Sequence, residues 1–209
     1  MKVMLVGATG LVGGHVLRQL LDDPRCDAVI APTRRALETT DPALFNPVVD
    51  FAQLPAGADW WAVDAVICAL GTTIKQAGSQ EAFARVDHDF PLAVARLARA
   101  HGAHGFALNS AMGADPGSRI FYNQVKGRLE QDLRALGYPS LTLVRPGLIG
   151  GERAERRTGE HLASVVLGPV LPRAWRINPA GNIAAALVEA ALVPTPGVRI
   201  VGSADLAER

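Results

Sequence analysis

Two side chains with the right spacing for proton transfer stand near the middle of the chain. Tyr122 and Lys126 lie four residues apart, which places both on one face of a helix. A free tyrosine has a pKa of about 10 and is a poor acid or base near neutral pH. A neighbouring ammonium favours the phenolate and lowers that pKa toward the working range. A Tyr-x-x-x-Lys helix on its own is most often structural, so the pair needs support from other features.

Ser110 is the third side chain of this group. It ends a predicted strand twelve residues before Tyr122, and its hydroxyl could bond a substrate carbonyl beside the tyrosine. These three residues together predict a site that reduces or oxidises a carbonyl or alcohol.

The first residues of the chain predict a phosphate-binding turn. An apolar run, Lys2 to Val6, is followed by glycines at positions 7, 10 and 13 and then by an amphipathic stretch. Such a strand, glycine turn and helix start bind a pyrophosphate through free N–H groups and the helix dipole. The turn residues expected to bind a dinucleotide are Gly7, Thr9, Gly10, Leu11, Val12 and Gly13.

The residues after the second predicted strand bear on which dinucleotide binds. An acidic residue about 20 positions past the glycines would bind the ribose hydroxyl of NAD, but Arg34 and Arg35 stand there. Two guanidinium groups suit a 2′-phosphate, so NADP(H) is preferred and NAD(H) is the alternative. Both arginines could instead be solvated loop residues. Asp50 could bond the adenine amine, or it could cap a turn.

Strand-like and helix-like segments alternate along the chain, which predicts an α/β fold. We expect a doubly wound parallel sheet, the Rossmann fold, in one domain spanning residues 1–209. Residues 150–177 are the least regular part and form a small C-terminal substrate-side region. The charge run Glu152 to Arg157 within it is either a solvated face or a mobile flap over a ligand. The predicted elements are strands at 2–6, 27–33, 47–51, 63–70, 105–109, 141–144 and 198–201, and helices from 11, at 79–100, 120–136 and 184–192.

Composition excludes several classes of partner. The net charge of +1 gives no reason to expect nucleic acid or an anionic membrane, and no apolar run is long enough for a membrane span. The two cysteines, Cys26 and Cys68, do not make a disulfide framework, so a reducing cytoplasm is expected. The scattered histidines show no metal-ligand spacing, and no metal is expected.

These features resemble the short-chain dehydrogenase/reductase superfamily, in its atypical branch. The chain looks most like small NAD(P)-binding reductases related to the Tat-interacting oxidoreductase and to nucleoside-diphosphate-sugar epimerases. The resemblance rests on residues 7–13, 68–73, 86–90, 109–111, 122–126 and 144–147.

The resemblance implies roles for particular residues. Ala69, Leu70 and Gly71 would border the cofactor, and Pro146 to Ile149, Leu148 included, would lie near the nicotinamide. Tyr122 would be the proton donor, Lys126 its activator and Ser110 the residue that orients the carbonyl. Members of the superfamily often pair through surface helices, so a homodimer is expected.

Two departures from the superfamily pattern shape the functional expectation. Asp87 occupies a place where many members carry an asparagine of a proton relay, so it either changes that relay or makes only a structural hydrogen bond. The 63 residues after Pro146 leave little for a sugar-nucleotide pocket, so epimerase activity is the least favoured reading. We expect an NADP(H)-dependent oxidoreductase acting on a small carbonyl substrate. The alternative is an NADP(H)-binding redox sensor or regulator without turnover.

Overall fold

The strands form a parallel sheet of the predicted kind. The structure, a computed structural model, describes residues 1–150 and 177–207. The strands in these ranges are β1 (Lys2–Val6), β2 (Ala28–Ile30), β3 (Leu44–Phe45), β4 (Ala65–Cys68), β5 (Gly105–Asn109), β6 (Ser140–Arg145), β7 (Ile149–Gly150), β8 (Asn178–Pro179) and β9 (Gly197–Gly202). Seven of them pair in parallel in the order β3-β2-β1-β4-β5-β6-β9, and β7 pairs with β8 separately.

Helices cover both faces of this sheet. They are α1 (Leu11–Asp22), α2 (Ile74–Ala77), α3 (Gln80–Ala84), α4 (Phe90–Ala100), α5 (Phe121–Ala135), α6 (Ala180–Leu192) and α7 (Ser203–Ala207), with a 3₁₀ turn at Asp59–Trp61. Helices α1 and α6 enclose one apolar core, and α4 and α5 enclose the other. All four residues of β4 are buried, as expected of a strand with helices on both sides. The doubly wound Rossmann prediction is confirmed.

Two predicted elements differ from the structure. The third strand lies at Leu44–Phe45 rather than at 47–51, where only an isolated bridge joins Val48 to Thr33. Pro47 has no N–H to donate to a ladder, and the chain then turns at Asp50, so pairing stops early. The long helix predicted from Ser79 begins with Ser79 as N-cap, but one π-helical turn at Arg85–Asp89 interrupts it.

Candidate active site

The glycine turn after β1 packs closely against the end of β4. Gly7 has a φ of +93°, and a Cβ there would lie within 3 Å of the Ala69 and Leu70 backbone. A Cβ on Gly13 would clash with the Gly7 carbonyl oxygen. The turn therefore needs glycine at both positions, one for backbone conformation and both for close approach. The backbone of Ala69 and Leu70 borders the turn, and their contact with a cofactor stays a prediction.

The N-terminus of α1 has the properties of an anion site. Gly10 is the N-cap, and no side chain in the described part of the chain caps this helix. Its first turn contains no acidic residue. The helix dipole and its orphan N–H groups are therefore left for an external acceptor. This arrangement fits the pyrophosphate of a dinucleotide.

Hydrogen bonds fix the backbone of the loop after β2, and two cationic side chains of this loop are exposed. Arg34 and Arg35 are exposed, and neither guanidinium bonds another described residue. The Thr33 hydroxyl donates to the Arg35 carbonyl at 2.7 Å. Asn46 donates to the Ala31 carbonyl at 2.5 Å and to Thr33 Oγ1 at 2.7 Å, and its Oδ1 accepts the Leu37 N–H at 2.7 Å. Asn46, which was not identified from the sequence, thus fixes the loop that presents the arginines.

Asp50 shows the turn-capping geometry that was its alternative. It is exposed, and its Oδ1 accepts the Ala52 N–H at 2.9 Å. Its proposed contact with adenine stays a prediction.

Tyr122 and Lys126 lie on α5 as the spacing predicts. The half-buried Tyr122 ring packs on the buried ring of Phe83, with centroids 5.6 Å apart. Lys126 is buried, and its Nζ lies 2.8 Å from Asp87 Oδ1. Gly71 borders this ion pair, because a Cβ there would sit 3.4 Å from Asp87 Oδ1 and 3.9 Å from Lys126 Nζ. The lysine therefore reaches the loop that leaves β4.

The charge of Lys126 is set by two opposing effects. Burial lowers the pKa of Lys126, because it penalises the charged ammonium. The negative charge of Asp87, helped by Tyr122, outweighs burial and holds the pKa of Lys126 above its ordinary value. Lys126 is therefore an ammonium at neutral pH. Nearby, burial raises the pKa of the Cys68 thiol to about 12, so that cysteine is inert.

Asp87 reaches this pair from the π-helical turn. Its side chain is 1% exposed, and its second oxygen accepts the Thr72 N–H at 2.8 Å. Thus one carboxylate joins the α3–α4 helix, α5 and the loop after β4. Both alternatives left open for Asp87 had missed its ion pair with Lys126.

Ser110 is tied to a buried charged cluster. Its Oγ donates to Glu130 Oε1 at 2.5 Å. Arg145 donates to the same carboxylate through Nε at 2.9 Å and through Nη2 at 2.5 Å. The only hydroxyl proton of Ser110 therefore points to Glu130 rather than toward a substrate oxygen.

Glu130 and Arg145 were not predicted as site residues from the sequence. Glu130 follows Tyr122 and Lys126 at the same four-residue spacing, and it is buried at 3% exposure. That spacing was the available signal.

The loop after β6 is held by residues distant in sequence. The Gly147 N–H donates to Asn178 Oδ1 at 2.8 Å, and the Ser203 hydroxyl donates to the same oxygen. Met112 N–H donates to the Pro146 carbonyl at 2.8 Å, so the β5 and β6 loops are joined. Pro146 is buried and Leu148 is 68% exposed at this edge. Asn178, fully buried, was not identified from the sequence.

Three further expectations concern the substrate-side region, metal binding and membrane spans. The substrate-side region at 150–177 lies outside the described residues, apart from its two ends. In residues 1–150 and 177–207, no group of three or more His, Cys, Asp or Glu side chains could hold a metal ion. None of the helices in those ranges is both long and apolar enough to cross a membrane.

Solved structures share this fold. MoeE5, solved in complex with UDP-glucose and NAD, superimposes with a TM-score of 0.73 at 16% identity, covering 97% of this chain and 76% of that one. A short-chain dehydrogenase family protein from Francisella tularensis gives a TM-score of 0.72 at 13% identity, covering 99% and 98%. The fold is that of the short-chain dehydrogenase/reductase and epimerase proteins. No family model matches the sequence.

Sequence relatives identify the family to which the chain belongs. Protein HTATIP2 of Rattus norvegicus is 38% identical over 178 residues, covering 83% of this chain and 73% of the relative. The mitochondrial protein fmp52 of Emericella nidulans is 35% identical over 174 residues, covering 80% and 75%. The chain belongs to the family of HTATIP2 and Fmp52, within the atypical short-chain dehydrogenase/reductases.

The expected cytoplasmic location is wrong on this comparison. Relatives from Emericella nidulans, Aspergillus fumigatus and Eremothecium gossypii are all named as mitochondrial proteins. The expectation rested on cysteine count, which reports on disulfide chemistry and does not distinguish one reducing compartment from another.

Proposed function

We propose that this protein is an NADP(H)-dependent oxidoreductase that reduces a small carbonyl substrate, with Tyr122 as proton donor. The observation that carries the proposal is the placement of the Tyr122–Lys126 face of α5. Lys126 reaches the Gly71 loop after β4, and the neighbouring strand β1 ends in the glycine turn. A proton donor and a phosphate-binding turn thus share the carboxyl edge of one parallel sheet, where ligands of such folds bind.

The residues that would hold the cofactor fall into three groups. The turn from Gly7 to Gly13 and the start of α1 would bind the pyrophosphate. Arg34 and Arg35 would bind a 2′-phosphate, and residues 69–71 with Pro146 and Leu148 would line the nicotinamide side. When bound, the nicotinamide supplies the hydride. MoeE5 and WbmH of Bordetella bronchiseptica, which share the fold, were solved with NAD, and this supports a nicotinamide dinucleotide here.

The chain's own contribution is proton delivery. Tyr122 would give its phenolic proton to the carbonyl oxygen as negative charge develops there. Lys126 would position the phenol and bond the ribose. Ser110 would orient the carbonyl only in a complex in which its proton turns from Glu130 toward the ligand.

One observation favours the redox-sensor alternative. The hydroxyl of Ser110, which was expected to orient a substrate, donates its only hydrogen bond to Glu130. A regulator that binds NADP(H) without turnover has no need of a free serine hydroxyl at this place. The two functions differ in whether bound NADPH is ever oxidised by a carbonyl compound.

The test is NADPH oxidation with a panel of aldehydes, ketones and quinones, followed by nicotinamide absorbance. We expect Tyr122→Phe to keep NADPH affinity and to lower kcat about a hundredfold or more, because general acid catalysis contributes at least that factor. Tyr138→Phe, which alters the other tyrosine of the chain, is the matched control and should turn over normally.

Two results would contradict the proposal. Equal turnover by Tyr122→Phe would remove Tyr122 from the mechanism. Tight NADPH binding with no oxidation by any compound of the panel would favour the sensor.

A further inference from the structure

Exposed apolar side chains are concentrated at the carboxyl edge of the sheet, where the candidate active site lies. Ten large apolar side chains are exposed in the described ranges. Half of them belong to the connections that leave the three adjacent strands β4, β5 and β6, namely Ile74, Met112, Ile120, Leu148 and Ile149. Single exposed apolar side chains are ordinary, whereas a group of them on one face marks a binding surface.

Backbone hydrogen bonds bring Met112 and Leu148 together. The Met112 N–H donates to the Pro146 carbonyl at 2.8 Å, two residues before Leu148. The Leu148 carbonyl accepts the Asn178 N–H at 2.8 Å. The backbone at both positions is therefore fixed, although the side chains are 41% and 68% exposed.

The loop that carries Met112 also packs against α5 beside Tyr122. The Asp115 N–H donates to the Asn123 carbonyl at 3.1 Å. A Cβ on Gly113 would lie 2.9 Å from Asn123 Nδ2. The loop therefore contacts the residue that directly follows Tyr122, so Met112 belongs to the same edge as the proposed proton donor.

Ile120 lies two residues before Tyr122, at the N-cap of α5. Its side chain is exposed, and no side chain caps this helix. An isoleucine offers no acceptor to the free N–H groups of a helix start, where Ser, Thr, Asp or Asn is preferred. Helix stability therefore does not account for an apolar residue here.

The cations of the site are already paired with carboxylates. Lys126 Nζ lies 2.8 Å from Asp87 Oδ1, and Arg145 donates to Glu130 through Nε at 2.9 Å. Both carboxylates are buried. An anionic substrate such as a nucleotide sugar would have to compete with these buried carboxylates for either cation. The exposed cations near this edge, Lys75 and Arg119, are screened by solvent.

We propose that Met112, Ile120 and Leu148 form an apolar mouth of the substrate site, and that the substrate is an uncharged carbonyl compound with an apolar chain or ring. The inference rests on the function proposed above, because it names the substrate class of that same site. Binding energy for such a compound comes from burying its apolar surface against the apolar mouth.

Straight-chain amides test the apolar mouth without turnover, because an amide has the carbonyl of an aldehyde but resists hydride reduction. Butanamide, hexanamide and octanamide are titrated into the protein with and without NADPH, and ligand-observed NMR gives the affinities. Each buried methylene should tighten binding about threefold, so octanamide should bind about a hundredfold more tightly than butanamide.

Two substitutions locate the binding to the apolar mouth. Met112→Gln and Leu148→Gln add a polar end to exposed side chains, and each should weaken octanamide binding about threefold or more. Butanamide binding should change less than about twofold. Val198→Thr is the matched control, because Val198 is 48% exposed near the amino end of β9, at the opposite edge of the parallel sheet. Ile120→Thr is the second test of the mouth if either glutamine variant does not fold.

Three results would overturn the proposal. One is octanamide binding no more tightly than butanamide. Another is equal weakening of octanamide binding by the mouth substitutions and by Val198→Thr. The third is UDP-glucose displacing octanamide from the NADPH complex with an affinity that falls as salt rises, since that would show a site for an anionic substrate.

Failure here can be told from failure of the proposed function. Amide affinities are measured without turnover, whereas the function is tested by NADPH oxidation. Chain-length-dependent amide binding without any NADPH oxidation would keep the apolar mouth and remove the enzyme. Turnover of carbonyl compounds with no preference for longer apolar chains would keep the enzyme and remove the apolar mouth.

Discussion

Asn46 joins three backbone or side-chain groups of the loop that carries Arg34 and Arg35. The loop is therefore ordered before any ligand arrives, while the two guanidinium groups remain free of other described residues. Preorganised cations lose less conformational entropy on binding a phosphate than mobile ones do. This arrangement is consistent with the preference for a 2′-phosphorylated cofactor that we propose.

We expect NADPH to bind more tightly than NADH. Arg34→Ala with Arg35→Ala should weaken NADPH binding about tenfold or more and change NADH binding less than about threefold, because only NADPH carries the extra phosphate. Fluorescence titration of both cofactors measures this. Arg96→Ala, which removes an exposed arginine on α4, is the control. Equal affinities in the unsubstituted protein would show that the arginines are only solvated loop residues.

Which residues belong to the candidate site was easier to predict than where their polar groups point. The four-residue spacing located Tyr122 and Lys126 because helix geometry is regular. The same reasoning could not show that the Ser110 proton points to Glu130, since a hydroxyl rotates to suit its neighbours. Asn178 lies 31 residues beyond Gly147 along the chain, and only the tertiary fold brings them together.

At the level of elements, the glycine turn and α1 form one packed unit. Gly13 lies directly against the Gly7 carbonyl, whereas a Cβ on the adjacent Gly14 would meet the Ala8 carbonyl oxygen at 3.8 Å. The two neighbouring helical glycines therefore differ in the reason for their presence.

This difference gives a matched pair of substitutions. Gly13→Ala should destabilise the protein by about 3 kcal/mol or prevent folding, because the new methyl must displace α1 from the turn. Gly14→Ala should stabilise it by about 0.5 to 1 kcal/mol through helix propensity. Urea unfolding measures both changes. Similar effects of the two substitutions would mean that the turn is looser than described.

The order of strands and helices was predictable because a buried parallel strand reads as a continuous apolar run. The boundaries at Pro47 and the π-helical turn were not. A π-helical turn of five residues is too short for hydrophobic periodicity, which needs a window of about 11 residues or more, to distinguish it from the α-helix around it. For the same reason, the position of the Asp87 carboxylate beside Lys126 could not be predicted from the sequence.

Over the whole molecule, the sheet is held between two apolar cores, and Tyr138 lies in the one under α4 and α5. Its hydroxyl donates to the Ala95 carbonyl of α4 at 2.6 Å, and its ring packs 5.3 Å from that of Phe106 on β5. Tyr138 thus connects a surface helix, a central strand and the loop before β6.

The buried Tyr138 predicts a loss of stability in alkali. Burial, only partly offset by Arg99, raises its pKa in the folded state, while an unfolded tyrosine ionises near pH 10. Its contribution is therefore full below about pH 10 and declines above it, because the unfolded chain then binds fewer protons than the native state. Urea unfolding of the unsubstituted protein and Tyr138→Phe should differ by about 1 kcal/mol at pH 8.

The difference should shrink or reverse above about pH 10. A constant difference across this range would mean that Tyr138 ionises equally well in the folded protein. Tyr122→Phe, measured in parallel, separates the contribution of the other tyrosine.

The π-helical turn at Arg85–Asp89 also bears on how the family can diverge. Each residue removed from an ordinary α-helix rotates everything beyond it by about 100°, which would turn the buried face of α4 outward. A π-helical turn contains one residue more than the corresponding α-helical turn. A single deletion inside it would therefore leave a continuous α-helix with both flanking segments still packed. Such a lineage would keep the Rossmann fold and lose the Asp87 carboxylate in one step. Such a deletion would preserve the packing register of both helical flanks, but it would also leave Lys126 buried without its carboxylate partner, so Lys126 would have to be replaced as well.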